Sequence, residues 1–330
     1  MKRLWMILLA AILLLGACGP GSGNEETEKN KEKDGDQDVL RVMTTVYPLA
    51  YFAERIGGDA VDVSSIYPPG ADSHTFEPTQ KDMMALADSD LFIYVGLGLE
   101  GFVENAEKTL KNEEVRLIAA ASDIPDGALL SGEDHHDEDP YDSAGDEHGG
   151  HSHAGVDPHV WLSPVLADDL AKAVKDALTE ERPDLKSEFD ERYQALSKEL
   201  ASLDGDYRDM AKQAGTKTFF ISHASFGYLA SQYGLEQVAV AGLNSQSEPS
   251  QKQLAKIVDE AKKENIRYIF FEQNITSKLA EVIRKETGTE ALVLHNLSVL
   301  TDEDIKDGAT YFTLMERNLE QFKTALGSQD

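Results

Sequence analysis

The feature that most constrains the fold of this chain is a long helical segment near its middle. No proline occurs between Leu185 and Gln213, and apolar residues recur there at spacings of three and four. This periodicity predicts one amphipathic helix of about seven turns. Pro183 ends the helix before it, and Asp184 is its predicted N-cap. A helix of this length would join the two parts of the chain on either side of it as a stiff connection.

Strand-like and helix-like segments alternate on both sides of this helix. Such alternation predicts parallel sheets whose faces are covered by helices. We therefore predict an α/β fold of two βα-type lobes with mainly parallel sheets, joined by one long connecting helix. The predicted strands span residues 39–46, 61–67, 91–95, 115–119, 218–221, 237–241, 267–271 and 292–294. The other predicted helices span residues 47–56, 79–87, 102–110, 163–178, 226–233, 250–264, 277–287 and 311–326.

The first residues have the pattern of a secretion signal. Lys2 and Arg3 precede an apolar run from Leu4 to Leu15, which is too short to span a bilayer as a helix. Small residues then lead into Cys18, the single cysteine of the chain, as in a lipobox. We expect cleavage before Cys18 and lipid attachment at it, which would anchor the protein to the outer face of the cell membrane. An uncleaved signal anchor is the alternative.

Composition changes mark the predicted boundaries of the chain's parts. Residues 19–38 contain no large apolar side chain, so they predict a flexible tether. The chain has 60 Asp and Glu against 31 Lys and Arg, which argues against nucleic acid or an anionic lipid surface as partner. The predicted organisation is a signal peptide at 1–17, the lipidated cysteine and tether at 18–38, an N-terminal lobe at 39–183, a connecting helix at 184–214 and a C-terminal lobe at 215–330.

Within the predicted N-terminal lobe, residues 131–155 combine histidines with acidic residues. Five of the nine histidines of the chain lie in this segment. Imidazole is the commonest protein ligand for borderline metals, and carboxylates raise the local cation concentration. We predict a mobile accessory loop that holds metal weakly, with a plain solvated acidic loop as the alternative. Its histidines are His135, His136, His148, His151 and His153.

Four further polar residues follow predicted strands or precede a helix. His74, His223 and Glu272 each come after a predicted strand, and His159 precedes a helix. Ligands collect at the carboxyl ends of strands in open α/β sheets, so these side chains are candidates for one site. Two come from each block, so they can converge only in a cleft between the lobes. Their spacing alone leaves open that each is an incidental loop residue.

Four sequence blocks resemble one known family. GADSHTFEPTQKDM, DPHVWLSP, ISHASFGYLASQYGL and FFEQNITSKLAEVIRKETG are similar to the metal-binding lipoproteins of ABC importers, the cluster A-I solute-binding proteins. The resemblance covers essentially all of Val39 to Leu326. It implies a metal site of His74, His159, His223 and Glu272, as in the zinc-uptake members. Manganese members carry Glu for the third His and Asp for the last Glu. Zinc-uptake members from bacteria with two membranes often have a disulfide and no lipobox. This chain has a lipobox and no cysteine pair, so it resembles the members from Gram-positive bacteria.

The resemblance implies a receptor that captures Zn²⁺ and passes it to an ABC permease and its ATPase, as a monomer and without catalysis. Three imidazoles and one carboxylate suit tetrahedral zinc, whereas manganese prefers more oxygen ligands. The alternatives are a manganese or iron receptor of the same fold and a surface adhesin with a structural metal. A zinc hydrolase with Glu272 as general base, and Glu272 as a plain surface carboxylate, also remain open. We expect His295 to be a satisfied polar residue and Trp161 a packing anchor.

Overall fold

The computed structural model describes residues 39–131, 155–246, 249–273 and 277–327.

Four parallel strands form the sheet of the N-terminal lobe. The strands are β1 Leu40–Thr44, β2 Val61–Ser65, β3 Leu91–Tyr94 and β4 Arg116–Ala119, and they lie in the order β2-β1-β3-β4. The helices of this lobe are α1 Tyr47–Gly57, α2 Gln80–Ala87 and α3 Val103–Leu110. A capping box of Thr79 and Asp82 opens α2.

One long helix, α5 Lys186–Gln213, connects the lobes, and its 28 residues give it a length of about 42 Å. Helix α4 Pro164–Glu181 precedes it at the end of the N-terminal lobe. The predicted N-cap of α5, Asp184, is wrong. Residues Pro183–Leu185 form a 3₁₀ turn and Leu185 occupies the cap position. The Asp184 carboxylate instead accepts hydrogen bonds from Arg182 at 2.9 and 3.0 Å, so it does not cap the helix.

The C-terminal lobe repeats the same architecture. Its strands are β5 Thr218–His223, β6 Glu236–Ala241, β7 Tyr268–Glu272 and β8 Glu290–Leu294, parallel in the order β6-β5-β7-β8. Its helices are α6 Gly227–Tyr233, α7 Gln251–Lys263, α8 Lys278–Thr287, α9 Asp302–Asp307 and α10 Tyr311–Leu326. Sequence reasoning missed α9, because a helix of six residues is too short for a periodic apolar pattern. The two four-stranded parallel sheets confirm the predicted fold class.

Two strands extend further than predicted. We expected His223 and Glu272 just past the ends of their strands, but each is the last residue of its strand. The neighbouring strands continue far enough to pair with them, since His223 lies opposite Ala241 and Glu272 opposite Leu294. Both side chains are therefore fixed by sheet backbone instead of by loops.

Helix α10 contributes to the packing of both lobes. It contacts α1 and α5 as well as strands β5 and β8. Near the start of α10, the ring centroids of Tyr311 and Phe52 on α1 are 5.3 Å apart. Near its end, the ring centroid of Phe322 lies 5.1 Å from the centroids of both Phe219 and Phe270. Because one buried apolar cluster runs through both lobes, a wide hinge motion would have to break core contacts.

None of the helices in the described ranges combines the length and the apolar composition that a membrane span requires.

We expect Phe322→Ala to lower the free energy of unfolding by about 3–5 kcal/mol, because it removes a fully buried ring from the shared core. Guanidinium denaturation of the metal-free protein measures this. Phe312→Ala on the same helix is the matched control, since Phe312 is only partly buried. An equal loss of stability in the two variants would contradict the central position assigned to Phe322.

Candidate metal centre

Three histidines meet in the cleft between the lobes. His74 lies in the loop after β2, His159 precedes the 3₁₀ turn Val160–Leu162, and His223 ends β5. Each offers a ring nitrogen, and these atoms all lie within 4.8 Å of one another. The ring centroids are 5.0–5.2 Å apart in all three pairs. Among the described residues, this is the group of His, Cys, Asp and Glu that could hold a metal ion.

One pair of nitrogens in this cluster has the spacing of two ligands on one ion. Nε2 of His74 and Nε2 of His159 are 3.2 Å apart. Two imidazole nitrogens bound tetrahedrally to zinc are about 3.3 Å apart, as zinc–nitrogen bonds of about 2.0–2.1 Å require. The two rings are thus placed for a shared cation without rearrangement.

The surroundings of His74 keep its imidazole in the neutral form, which is the form that binds metal. His159 and His223 are 2% and 1% exposed, and His74 is half-buried. Burial, and then the neighbouring His159 and His223, together lower the pKa of His74 to about 2. His74 is therefore neutral at physiological pH, with a lone pair available for a cation.

A buried carboxylate orients His159. Oδ1 of Asp157 accepts from the backbone N–H of His159 at 2.9 Å and from its Nδ1 at 2.8 Å. The proton assigned to Nδ1 by this contact leaves the Nε2 lone pair facing His74. Trp161, which is fully buried, packs beside His159 with ring centroids 5.4 Å apart, so the predicted packing anchor is confirmed.

His223 is held at both ring nitrogens. Nε2 donates to the carbonyl oxygen of Leu243 at 2.9 Å, and Nδ1 lies 2.9 Å from Oε1 of Glu272. A carbonyl can only accept, so Nε2 carries a proton in this arrangement, and the Glu272 carboxylate faces the other ring nitrogen. Burial by itself lowers the pKa of His223, but the Glu272 carboxylate outweighs this and raises it.

Glu272 lies beside His223 but is not a member of the three-histidine group. Its Oε1 also accepts from Ser225 Oγ at 2.8 Å, and its Oε2 accepts from Asn296 Nδ2 at 2.6 Å. Burial tends to raise the pKa of Glu272, yet His223 and these donors hold it below its usual value. The carboxylate is therefore ionised and supplies a negative charge next to the imidazoles.

Two predictions remain, one for His295 and one for the histidines of the accessory loop. His295 is buried, its Nε2 bonds Asp304 Oδ2 at 3.1 Å and its Nδ1 accepts from Leu297 N–H at 2.9 Å. It is the satisfied polar residue that we expected. The accessory histidines from His135 to His153 lie outside the described residues. Ser131 and Val156, on either side of that segment, form an antiparallel bridge.

Sequence reasoning missed the residues that hold the ligand candidates in place. Asp157 stands two positions before His159, so the Asp-Pro-His spacing is a usable local signal. Ser225, Leu243 and Asn296 come from three separate loops of the C-terminal lobe and carry no such signal.

Two parallel α/β lobes, a long connecting helix and an imidazole cluster in the cleft define a solute-binding protein of the metal-receptor class. Residues 42–325 match the family profile described as ZnuA, zinc-uptake complex component A, periplasmic, and the chain belongs to this family.

Individual relatives are similar over most of this chain. It is 36% identical to the zinc-binding lipoprotein AdcA of Streptococcus pneumoniae strain R6, over 98% of this chain and 61% of AdcA. It is 36% identical to the high-affinity zinc uptake system protein ZnuA of Bacillus subtilis strain 168, over 97% of this chain and 96% of that protein. The crystal structure of the Zn(II)-bound ZnuA-like domain of S. pneumoniae AdcA superposes with a TM-score of 0.71 at 35% identity, covering 88% of this chain and 100% of that domain. The chain thus spans about three fifths of AdcA and nearly all of the B. subtilis protein.

We expect Asp157→Asn to weaken zinc binding about 10–100-fold, because the carboxylate that fixes the His159 tautomer is lost. Competition titration of the metal-free full-length protein against a chelator measures the dissociation constant. Asp123→Asn, at an exposed position, is the control and should bind zinc like the parent. If the two variants bound zinc equally well, Asp157 would have no orienting role.

Proposed function

We propose that this protein is an extracytoplasmic zinc receptor, which captures Zn²⁺ in the cleft and delivers it to an ABC permease and its ATPase. The observation that carries the proposal is the convergence of His74, His159 and His223 around one point, with the ionised Glu272 adjacent. The names of its relatives, a zinc-binding lipoprotein and a zinc uptake system protein, support the same function.

The proposed ligands are the three imidazoles and Glu272. Nε2 of His74 and Nε2 of His159 face each other, His223 offers a third ring nitrogen within 4.8 Å, and Oε1 of Glu272 lies beside His223. Three nitrogens and one oxygen suit a tetrahedral zinc ion, whereas manganese prefers more oxygen ligands. The donor set therefore favours zinc over a manganese or iron cargo.

We propose capture and release of the ion without catalysis. In the hydrolase alternative, Glu272 would be a general base that faces substrate. Its two oxygens instead accept hydrogen bonds from Ser225 and Asn296 and pair with His223, and the residue is only 3% exposed. A carboxylate so enclosed favours a receptor over an enzyme. The adhesin alternative remains a prediction, and we assign no residue to it.

We also propose that the protein is a monomer tethered to the membrane by lipid at Cys18. This cysteine lies outside the described residues, and support comes from the lipobox pattern and from a relative named as a lipoprotein. The proposed division into signal peptide, tether, two lobes and connecting helix keeps the boundaries predicted from sequence.

Zinc affinity should fall steeply below about pH 6, because protons and zinc compete for the same lone pairs. His223 should dominate this competition. Burial lowers its pKa, but Glu272 outweighs burial and raises it above the ordinary value, so proton competition at His223 begins at a higher pH than at an unperturbed histidine. His74, whose pKa is lowered to about 2, stays neutral throughout. Chelator competition at a series of pH values measures the effect.

Glu272→Gln is the informative companion variant for this pH series. It removes the charge that raises the pKa of His223, so the remaining affinity should decline at lower pH than in the parent. Unchanged affinity from about pH 7.5 to about pH 5.5 in the parent would argue against a site made mainly of imidazoles.

The function itself is tested by zinc and manganese competition titrations on the metal-free full-length chain. We expect one tight zinc site, much weaker manganese binding, and a loss of zinc affinity of about 100-fold or more in His223→Ala, because a ligand is removed. His151→Ala, in the predicted accessory loop, is the matched control and should retain the tight site. Comparable manganese binding, or a tight site indifferent to His223→Ala, would refute the proposal.

A further inference from the structure

One carboxylate bridges the two sides of the cleft beside the metal centre. Oδ1 of Asp72, in the loop that carries His74, accepts from the backbone N–H of His74 at 2.9 Å. Oδ2 of the same carboxylate accepts from Ser245 Oγ at 2.9 Å and from Gln246 Nε2 at 3.4 Å. Ser245 and Gln246 belong to the C-terminal lobe. Asp72 therefore ties the His74 loop to a loop on the opposite side of the cleft.

The loop that Asp72 reaches is the one that orients His223. Residues 242–246 follow β6, and the Leu243 carbonyl accepts the Nε2 proton of His223 at 2.9 Å. The Gly242 carbonyl accepts from Ala224 N–H, next to His223, at 3.4 Å. Ser245 lies two residues beyond Leu243, so a displacement of Ser245 would be transmitted directly to the carbonyl that fixes the His223 tautomer.

We propose that Asp72 and Ser245 form a clasp that positions His74 and His223 together and sets how long zinc stays bound. The proposal rests on the zinc-receptor function proposed above and adds two positioning residues to it. Neither is one of the proposed ligands. Their hydrogen bond joins a loop carrying one ligand to a loop orienting another, so opening it would loosen two ligands from opposite lobes at once.

The clasp is separate from the contacts that hold the lobes together. The start of the His74 loop is held independently, since Gly70 N–H donates to the Leu300 carbonyl at 3.1 Å. The shared core and Trp161, whose Nε1 donates to the Asn296 carbonyl at 2.8 Å, join the lobes elsewhere. Asp72 and Ser245 are only partly buried. Loss of their hydrogen bond should therefore affect zinc release without unfolding the protein.

Positioning and simple gating predict different kinetics. A gate that only admits and releases the ion would change the association and dissociation rates by the same factor and leave the dissociation constant unchanged. A positioning clasp stabilises the bound state, so its loss speeds dissociation and weakens binding by the same factor. The net worth of one hydrogen bond corresponds to a change of about fivefold.

The test is stopped-flow release of zinc from the loaded full-length protein into excess chelator, with association measured separately. We expect Ser245→Ala to release zinc about fivefold faster and to bind it about fivefold more weakly, with an unchanged association rate. Ser245→Thr keeps the hydroxyl and should behave like the parent. Ser202→Ala, on the exposed side of α5, is the matched control. The absorption spectrum of the cobalt-substituted protein should be the same in all four, since the ligands are unchanged.

Each other outcome identifies which proposal fails. A parent protein without a tight zinc site would overturn the receptor function and the clasp with it. A tight parent site whose release rate is the same in Ser245→Ala would overturn the clasp alone. Equal acceleration of association and dissociation in Ser245→Ala would also overturn it, because the pair would then be a gate and not a positioning device.

Discussion

The close approach of three imidazole rings is the constraint on which the rest of this structure depends. Rings whose centroids are 5.0–5.2 Å apart in a buried site cannot all be positively charged, because like charges repel strongly where water is excluded. His74 accordingly remains neutral, with its pKa lowered to about 2 by burial and by the two neighbouring rings. The result is a cluster of nitrogen donors that could hold a divalent cation.

Two buried carboxylates adapt this cluster to a cation. Asp157 bonds the far side of the His159 ring, and Glu272 lies against His223. Without them the site would offer three neutral donors, and a divalent ion would leave water without any compensating charge. Ser225 and Asn296 in turn bond the Glu272 oxygens, so the negative charge is held in one orientation. The hydrogen bonds to Glu272 and to His159 therefore hold the site in place before any ion binds.

The scaffold holds these groups because they sit at the ends of rigid elements. His223 and Glu272 are the last residues of adjacent parallel strands. Helix α10 contacts elements of both lobes and contributes to the apolar core that they share. A shared core of this kind favours small loop rearrangements over wide opening when the ion enters or leaves. The mobile parts of such a receptor are then the connections between strand ends, which are also where the cleft-spanning hydrogen bonds lie.

The fold was readable from the sequence because its signals are local. The period of the apolar residues in α5, the capping box at Thr79 and the repeated alternation of strand and helix each depend on residues a few positions apart. The sequence also indicates the four ligand candidates, three of them by their places after predicted strands and all four by the resemblance to a known family. Asp184 was wrongly predicted to cap α5, because its carboxylate accepts hydrogen bonds from the Arg182 side chain instead.

What only the tertiary structure decided is which atoms face one another. The contact of Nε2 of His74 with Nε2 of His159 joins positions 85 residues apart, and that of Ser245 with Asp72 joins positions 173 apart. The sequence by itself determined the two lobes, the long helix between them and the residue types available to a metal. The pairing of His223 with Glu272 and Leu243, and the bridge at Asp72, depend on how separate loops pack across the cleft. No local periodicity encodes that packing, because it results from burying one core shared by both lobes.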